Sequence, residues 1–181
     1  MARRHGLRTT VLRVALLAVG ALVIASAVVF ALQPSPGAQQ AATPLLGHRA
    51  PPLAGPLLAG PALGTHRGNW VVVNFFASWC VDCRLEASSL NRFAQSQARS
   101  STGAARLVMV AFSDPSSQAR GFLRLTGSTA TALQDPGGQT ALAWGVREPP
   151  ETFVVAPNGK VVARFVGPVK ATQLEAVVGS R

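Results

Sequence analysis

Cys80 and Cys83, the only cysteines of this 181-residue chain, are separated by Val81 and Asp82 and follow Trp79 directly. Thiols at positions i and i+3 meet on one side of a helical turn, where they can pass between dithiol and disulfide. The preceding run Trp70-Val71-Val72-Val73-Asn74-Phe75-Phe76 is β-branched and aromatic, is bounded by Gly68 and Asn69, and reads as a buried strand. From Val81 to about Arg99, Leu85, Leu90 and Phe93 recur at helical intervals among Arg84, Glu86, Arg92 and Gln95. Cys80 is therefore expected at a helix N-terminus, exposed, with Cys83 shielded in the first turn. Free N–H groups and the helix dipole favour a thiolate there, and such thiols drop from about 8.5 to roughly 3.5–7.5 in pKa. Cys80 is the candidate nucleophile and Cys83 the resolving thiol. Two other readings of the pair are a structural disulfide, whose short loop would remove little chain entropy, and half of a zinc site. Zinc needs four ligands and only His48 and His66 lie nearby in sequence, so no metal site is expected.

Three neighbours bear on this chemistry. Glu86, three residues after Cys83, shares its helix face and is a candidate for exchanging the proton of Cys83; the alternative is a solvated surface charge. Asp82 places a negative charge beside the pair, which disfavours the thiolate and so favours a more reducing dithiol, unless the helix N-terminus absorbs its effect. Trp79, just before the nucleophile, is expected to cover the site.

The ends are made of different material. Arg3, Arg4, Arg8 and Arg13 precede the apolar run Val14 to Leu32, long enough to span a bilayer, and the positive charges keep the N-terminus in the cytoplasm. The expected organisation is a basic cytoplasmic N-terminus (1–13), a transmembrane anchor or signal sequence (14–32), a Pro-, Ala- and Gln-rich flexible linker (33–44) and one domain (45–181) outside the cytoplasm. Ala25-Ser26-Ala27 offers a cleavage site, but cutting there would leave an apolar new terminus. The formal charge is +10. With four of the 17 basic residues ahead of the apolar run, 13 face 7 acidic ones. The basic residues are scattered, which suits proximity to anionic lipid and gives no nucleic-acid motif.

Further along, Arg106–Phe112 reads as a second buried strand, Asp114-Pro115 opens a helix to about Leu125, and residues 130–134 form a short strand closed by Asp135-Pro136-Gly137-Gly138. A short helix follows over 139–144. Residues 151–156 and 161–166 form a hairpin with Asn158-Gly159 at its tip, and a last helix covers about 171–178. In this order, the segment Val72-Val73-Asn74-Phe75-Phe76-Ala77-Ser78-Trp79-Cys80 with Cys83 and Glu86, then Asp135-Pro136-Gly137, then Gly145-Val146 and Pro150-Glu151-Thr152-Phe153, resembles the thioredoxin superfamily. The resemblance is to its membrane-anchored TlpA/ResA-like disulfide reductases, which include the cytochrome c maturation thioredoxins, and it covers about residues 45–181.

The resemblance implies an α/β thioredoxin fold: a central mixed sheet flanked by helices, with the extracytoplasmic-reductase insertion at 113–135, preceded by one transmembrane helix. It implies a periplasmic protein-disulfide reductase held at the inner membrane, reduced by a membrane thiol-disulfide donor. Its substrates would be disulfides in exported proteins, apocytochrome c foremost. No cofactor beyond the Cys80–Cys83 disulfide is implied. Pro150 falls where the family has a cis-proline facing the cysteines, which makes Pro149 and Pro150 substrate-groove residues. Glu86 matches a glutamate characteristic of these reductases, whereas Asn74 replaces the acidic strand residue of plain thioredoxins and cannot titrate. Asp82 replaces a common proline, and Pro149 lacks the N–H that this position offers to substrate. A disulfide-introducing oxidase would use the same residues at a higher potential. A copper-delivery protein would need a histidine after the cysteines, and all three histidines precede Cys80.

Overall fold

A computed structural model describes residues 3–32, 39–64, 68–100 and 104–179 of the chain, which divides into two units, residues 1–35 and 36–181. The first unit holds helix α1 (Arg3–Leu32), along which apolar side chains such as Leu16, Leu17, Leu22 and Ile24 are exposed. The only polar side chain between Val14 and Leu32, Ser26, returns its hydroxyl to the Leu22 carbonyl at 2.7 Å. Among the described residues no helix is long and apolar enough to cross a membrane, so the transmembrane span expected at 14–32 is not established.

The second unit runs β1 (Gln39–Gln40), β2 (Leu57–Ala59), β3 (Val71–Phe76), α2 (Val81–Ala98), β4 (Arg106–Phe112), α3 (Ser116–Thr126), β5 (Thr131–Asp135), α4 (Gln139–Trp144), β6 (Glu151–Val155), β7 (Val161–Val166) and α5 (Ala171–Gly179). The strands form one mixed sheet in the order β1-β7-β6-β3-β4-β5-β2. β3, β4 and β5 are parallel, joined by α2 and α3, whereas β6 runs against them and turns back through the Asn158-Gly159 hairpin into β7, which runs in their direction again. Gly159 has φ +79, a left-handed turn that a glycine adopts without cost. This is the thioredoxin-like arrangement that the motifs implied.

Every residue of β3 is buried because both faces of the sheet are covered. Val72 and Phe76 pack with Leu90 and Phe93 of α2, Phe122 of α3 and Leu174 of α5. Val71, Val73 and Phe75 pack on the other side with Trp144 of α4, Phe153 and the segment around Ala50 and Leu53. Asn74 lies on the first face, beneath α2.

Two strands were not expected. The β1 residues, inside the expected linker, pair antiparallel with β7, and Ala41 N–H donates to the Arg164 carbonyl at 2.9 Å. The chain is thus held to the domain from residue 39, and residues 33–38 lie outside the described ones. β2 pairs with β5 at the opposite edge.

Candidate active site

The parallel pair β3–β4 determines where the chemistry can sit, since α2 must leave from the C-terminal end of β3. Cys80 caps α2 with extended backbone (φ −79, ψ 116), and its Sγ accepts the Cys83 N–H at 3.0 Å. Cys80 and Cys83 are joined as a disulfide, with Cα atoms 5.3 Å apart. The N–H and the α2 dipole face the sulfur that would carry charge once the bond is opened. One expectation needs correction: Cys80 is 5% exposed and Cys83 1%, so both sulfurs are largely covered. The cover is the loop before β6, which lays the Pro149 carbonyl oxygen 3.5 Å from Cys80 Sγ. The Pro149–Pro150 bond is cis. Trp79 is 53% exposed and stands beside the disulfide as an outward wall. Asp82 is exposed in the first turn of α2.

Behind the cysteines lies Glu86. It is 2% exposed and points into the protein, so a solvated surface charge is excluded. One carboxylate oxygen accepts from Asn74 Nδ2 at 2.7 Å and the other from the Val169 N–H at 2.9 Å. Burial pushes its pKa up from 4.5 to about 7; the bonds from Val169 and Asn74 pull the other way, and the charge of Asp82 adds a smaller upward push. Glu86 is therefore balanced between acid and base near neutrality, one helical turn from Cys83. Asn74 also donates to Thr152 Oγ1 at 3.0 Å, while its own Oδ1 is buried without a partner. A half-turn of that amide would present an acceptor to a protonated Glu86, so Asn74 can serve both states of the acid.

Two further groups were not anticipated. Asp114, 3% exposed at the end of β4, accepts from Ser78 N–H at 2.6 Å and Ser78 Oγ at 2.8 Å, and so clamps the turn that carries Trp79 and Cys80. From sequence it reads only as a helix-opening residue. Glu151, 1% exposed, accepts from the Arg147 N–H at 3.0 Å and pairs with Arg164 at 2.8 Å, on the sheet face away from α2. Among the described residues no group of three or more His, Cys, Asp or Glu side chains is placed to hold a metal ion.

A buried, N-capping cysteine pair at the end of a central parallel strand, faced by a cis-proline loop and backed by an acid, defines a thioredoxin-like thiol–disulfide centre. The chain belongs to the AhpC/TSA family, whose pattern matches residues 47–164. Within it the chain stands with the thiol:disulfide interchange proteins. It is 31% identical over 155 residues to DsbE of Allochromatium vinosum, covering 83% of this chain and 81% of that protein. It is 40% identical over 103 residues to HelX of Rhodobacter capsulatus, covering 56% of this chain and 54% of HelX. The match thus spans about half the length of HelX. The solved structure of MTB dsbF superposes with a TM-score of 0.56 at 28% identity, over 63% of this chain and 81% of that one. A DsbF homologue from Corynebacterium diphtheriae shares the fold, with a TM-score of 0.64 at 23% identity over 82% of this chain and 96% of that one.

Proposed function

We propose that this protein is an extracytoplasmic thiol–disulfide oxidoreductase that reduces disulfides in exported proteins, apocytochrome c among them, in cytochrome c maturation. The observation that carries the reading is the Cys80–Cys83 disulfide at the α2 N-terminus with a buried acid of pKa about 7 one turn behind it. The names of its relatives, thiol:disulfide interchange proteins, support the same activity.

In the reduced protein, Cys80 thiolate attacks a substrate disulfide, forming a mixed disulfide and releasing one substrate thiolate, which takes up a proton. Cys83 then gives its proton to the Glu86 carboxylate and attacks Cys80 Sγ, releasing the second substrate thiol, which takes the proton back. Two electrons pass to the substrate and the protein is left as the disulfide seen here. A membrane dithiol of lower potential reverses this oxidation. All electrons reside in the cysteine pair, and no further cofactor is invoked.

The arginines ahead of the apolar run 14–32, and a polar side chain in it that bonds to its own helix, support reading the N-terminus as an export element that remains as a single-pass anchor. Topology mapping with reporter fusions after residue 45 tests this; a cytoplasmic domain would remove the placement.

The reduction potential of the Cys80–Cys83 couple, measured in dithiothreitol buffers, tests the direction of transfer. A value well below about −200 mV supports a reductase, whereas one near −120 mV assigns the same residues to disulfide introduction. Cys83→Ser, which leaves Cys80 free, should accumulate mixed disulfides with substrate; if none forms, the exchange mechanism fails.

A further inference from the structure

The chain has only seven acidic residues against 17 basic ones, and all seven lie among the described residues. Glu86, Asp114, Asp135 and Glu151 are buried. Each is engaged inside the protein, Asp135 by capping α4 through the N–H groups of Thr140 and Ala141 at 3.1 and 2.8 Å. Glu175 is half-buried and accepts from Ser96 Oγ at 2.8 Å. That leaves Asp82 and Glu148 as the two exposed acidic side chains of a chain with formal charge +10.

Both line the same depression, of about 230 Å³, and its remaining walls are Trp79, Cys80, Val81 and Pro149. Asp82 reaches it from the first turn of α2 and Glu148 from the loop before β6, so the fold brings together charges from two distant parts of the sequence. Among the described residues no basic side chain lines it. Arg84 stands on the other side of Trp79, where its guanidinium donates to the Ser78 carbonyl at 3.0 Å and Phe122 and Leu125 supply an apolar wall. The depression is a site because the redox sulfur's residue, Cys80, lines it; the two carboxylates give it a sign opposite to that of the chain as a whole.

We propose that this depression is a subsite for a cationic side chain next to the partner's cysteine, so that Asp82 and Glu148 select polypeptide disulfides flanked by lysine or arginine. The inference rests on the oxidoreductase reading and adds the class of substrate to it. Among the described residues the other exposed charged side chains are basic; beside Cys80 a basic segment meets two acids, which orient it as its disulfide reaches the sulfur. An acidic segment is refused at the same place. Each exposed carboxylate is worth about twofold to fivefold in rate, screened by salt.

The test uses reduced full-length protein and disulfide-linked peptides that differ only in having Lys, Ser or Glu beside each cysteine. The second-order rate constant is expected to be about tenfold higher for the Lys than for the Glu peptide at low ionic strength, and the ratio to shrink at high salt. In the double variant Asp82→Asn, Glu148→Gln the Lys-to-Glu ratio should fall below about twofold with the Ser peptide still reduced. The ratio is independent of any change in thiol reactivity that the Asp82 substitution brings. Equal rates for the peptides in the native protein, or a ratio that survives the double substitution, overturn the subsite and leave the oxidoreductase reading standing. Failure to reduce any peptide overturns that reading and the subsite with it.

Discussion

Two carboxylates, Glu86 and Glu151, lie inside this domain at 2% and 1% exposure, on opposite faces of one sheet. Glu151 has a cation. Arg164 binds it through Nε and a terminal nitrogen at 2.8 Å and spends its remaining reach on the Ala42 carbonyl at 3.0 Å, tying β6, β7 and the incoming chain together. Glu86 has only neutral partners, an amide and a backbone N–H. The two are equally buried, and what separates them is the countercharge. A buried acid held by a fixed cation ties strands together. A buried acid without one is pushed to the pH where it can give or take a proton, and Glu86 is the acid that lies beside the cysteines.

The largest effect should come from breaking the paired side. Arg164→Met keeps much of the aliphatic stem but leaves Glu151 buried without its cation, which costs about 3–5 kcal/mol in such cases. Urea denaturation reads this directly. The potential of the cysteine couple should stay as it was, because the change is on the far face of the sheet. A loss under about 1 kcal/mol would mean that the pair is no more than a surface bridge and would undo the contrast.

The unpaired side should behave in the opposite sense. Folded Glu86 has a pKa of about 7 against 4.5 in an ordinary setting, so between these values the native protein holds a proton that the unfolded chain releases. The stabilisation this gives is present in full below pH 4.5, shrinks as pH rises through the window, and is lost above about pH 7. Glu86→Gln cannot ionise. Relative to it, the native protein should lose on the order of 3 kcal/mol from pH 4 to pH 8, measured as the difference between denaturation curves. The variant should nonetheless resolve mixed disulfides about 10²-fold more slowly near neutral pH, followed by stopped flow. A stability difference that does not change with pH would place Glu86 in the same class as Glu151.

Asp114 tests whether a third buried carboxylate belongs with either of them. It bears on the redox turn without touching sulfur, through two bonds to Ser78. Asp114→Ala should cost about 1–3 kcal/mol and slow the reaction of Cys80, and Asp114→Asn, which keeps one acceptor oxygen, should recover part of both. Equal loss in the two variants would mean that the charge, and not the clamp, matters.

These groups differ in how far the sequence reveals them. Cys80, Cys83 and Glu86 are legible because helix spacing alone brings them together on α2, and Asn74 is marked only by the family resemblance, as the residue that replaces an acidic one. The hairpin is legible through Asn158-Gly159. Asp114 and Glu148 are not, since their nearness to Cys80 depends on β4 lying parallel to β3 and on the loop before β6 folding back over the sulfur. The coverage of Cys80 escapes for the same reason: helix position predicts an open sulfur, and the Pro149 carbonyl closes it. β2 lies in a stretch rich in Pro, Gly and Ala without β-branched residues, and β1 is two glutamines, so in both the pairing comes from a partner strand's free backbone and not from side-chain pattern.

The smallest effect concerns the loop that closes the site. Pro149 brings its carbonyl to Cys80 but has no N–H, so an extended substrate can gain from this residue an acceptor and no donor. Pro149→Ala restores one donor in the groove without removing the carbonyl. One added hydrogen bond is worth about 0.5–1.5 kcal/mol, which corresponds to a rise of about twofold to twelvefold in the rate constant toward a peptide disulfide. A small dithiol such as dithiothreitol, which has no backbone to receive the bond, should react with the variant at the native rate. The comparison of the two reactants carries the conclusion: a gain confined to the peptide locates substrate backbone at Pro149, whereas equal gains for both would mean that the substitution had only loosened the cover over Cys80.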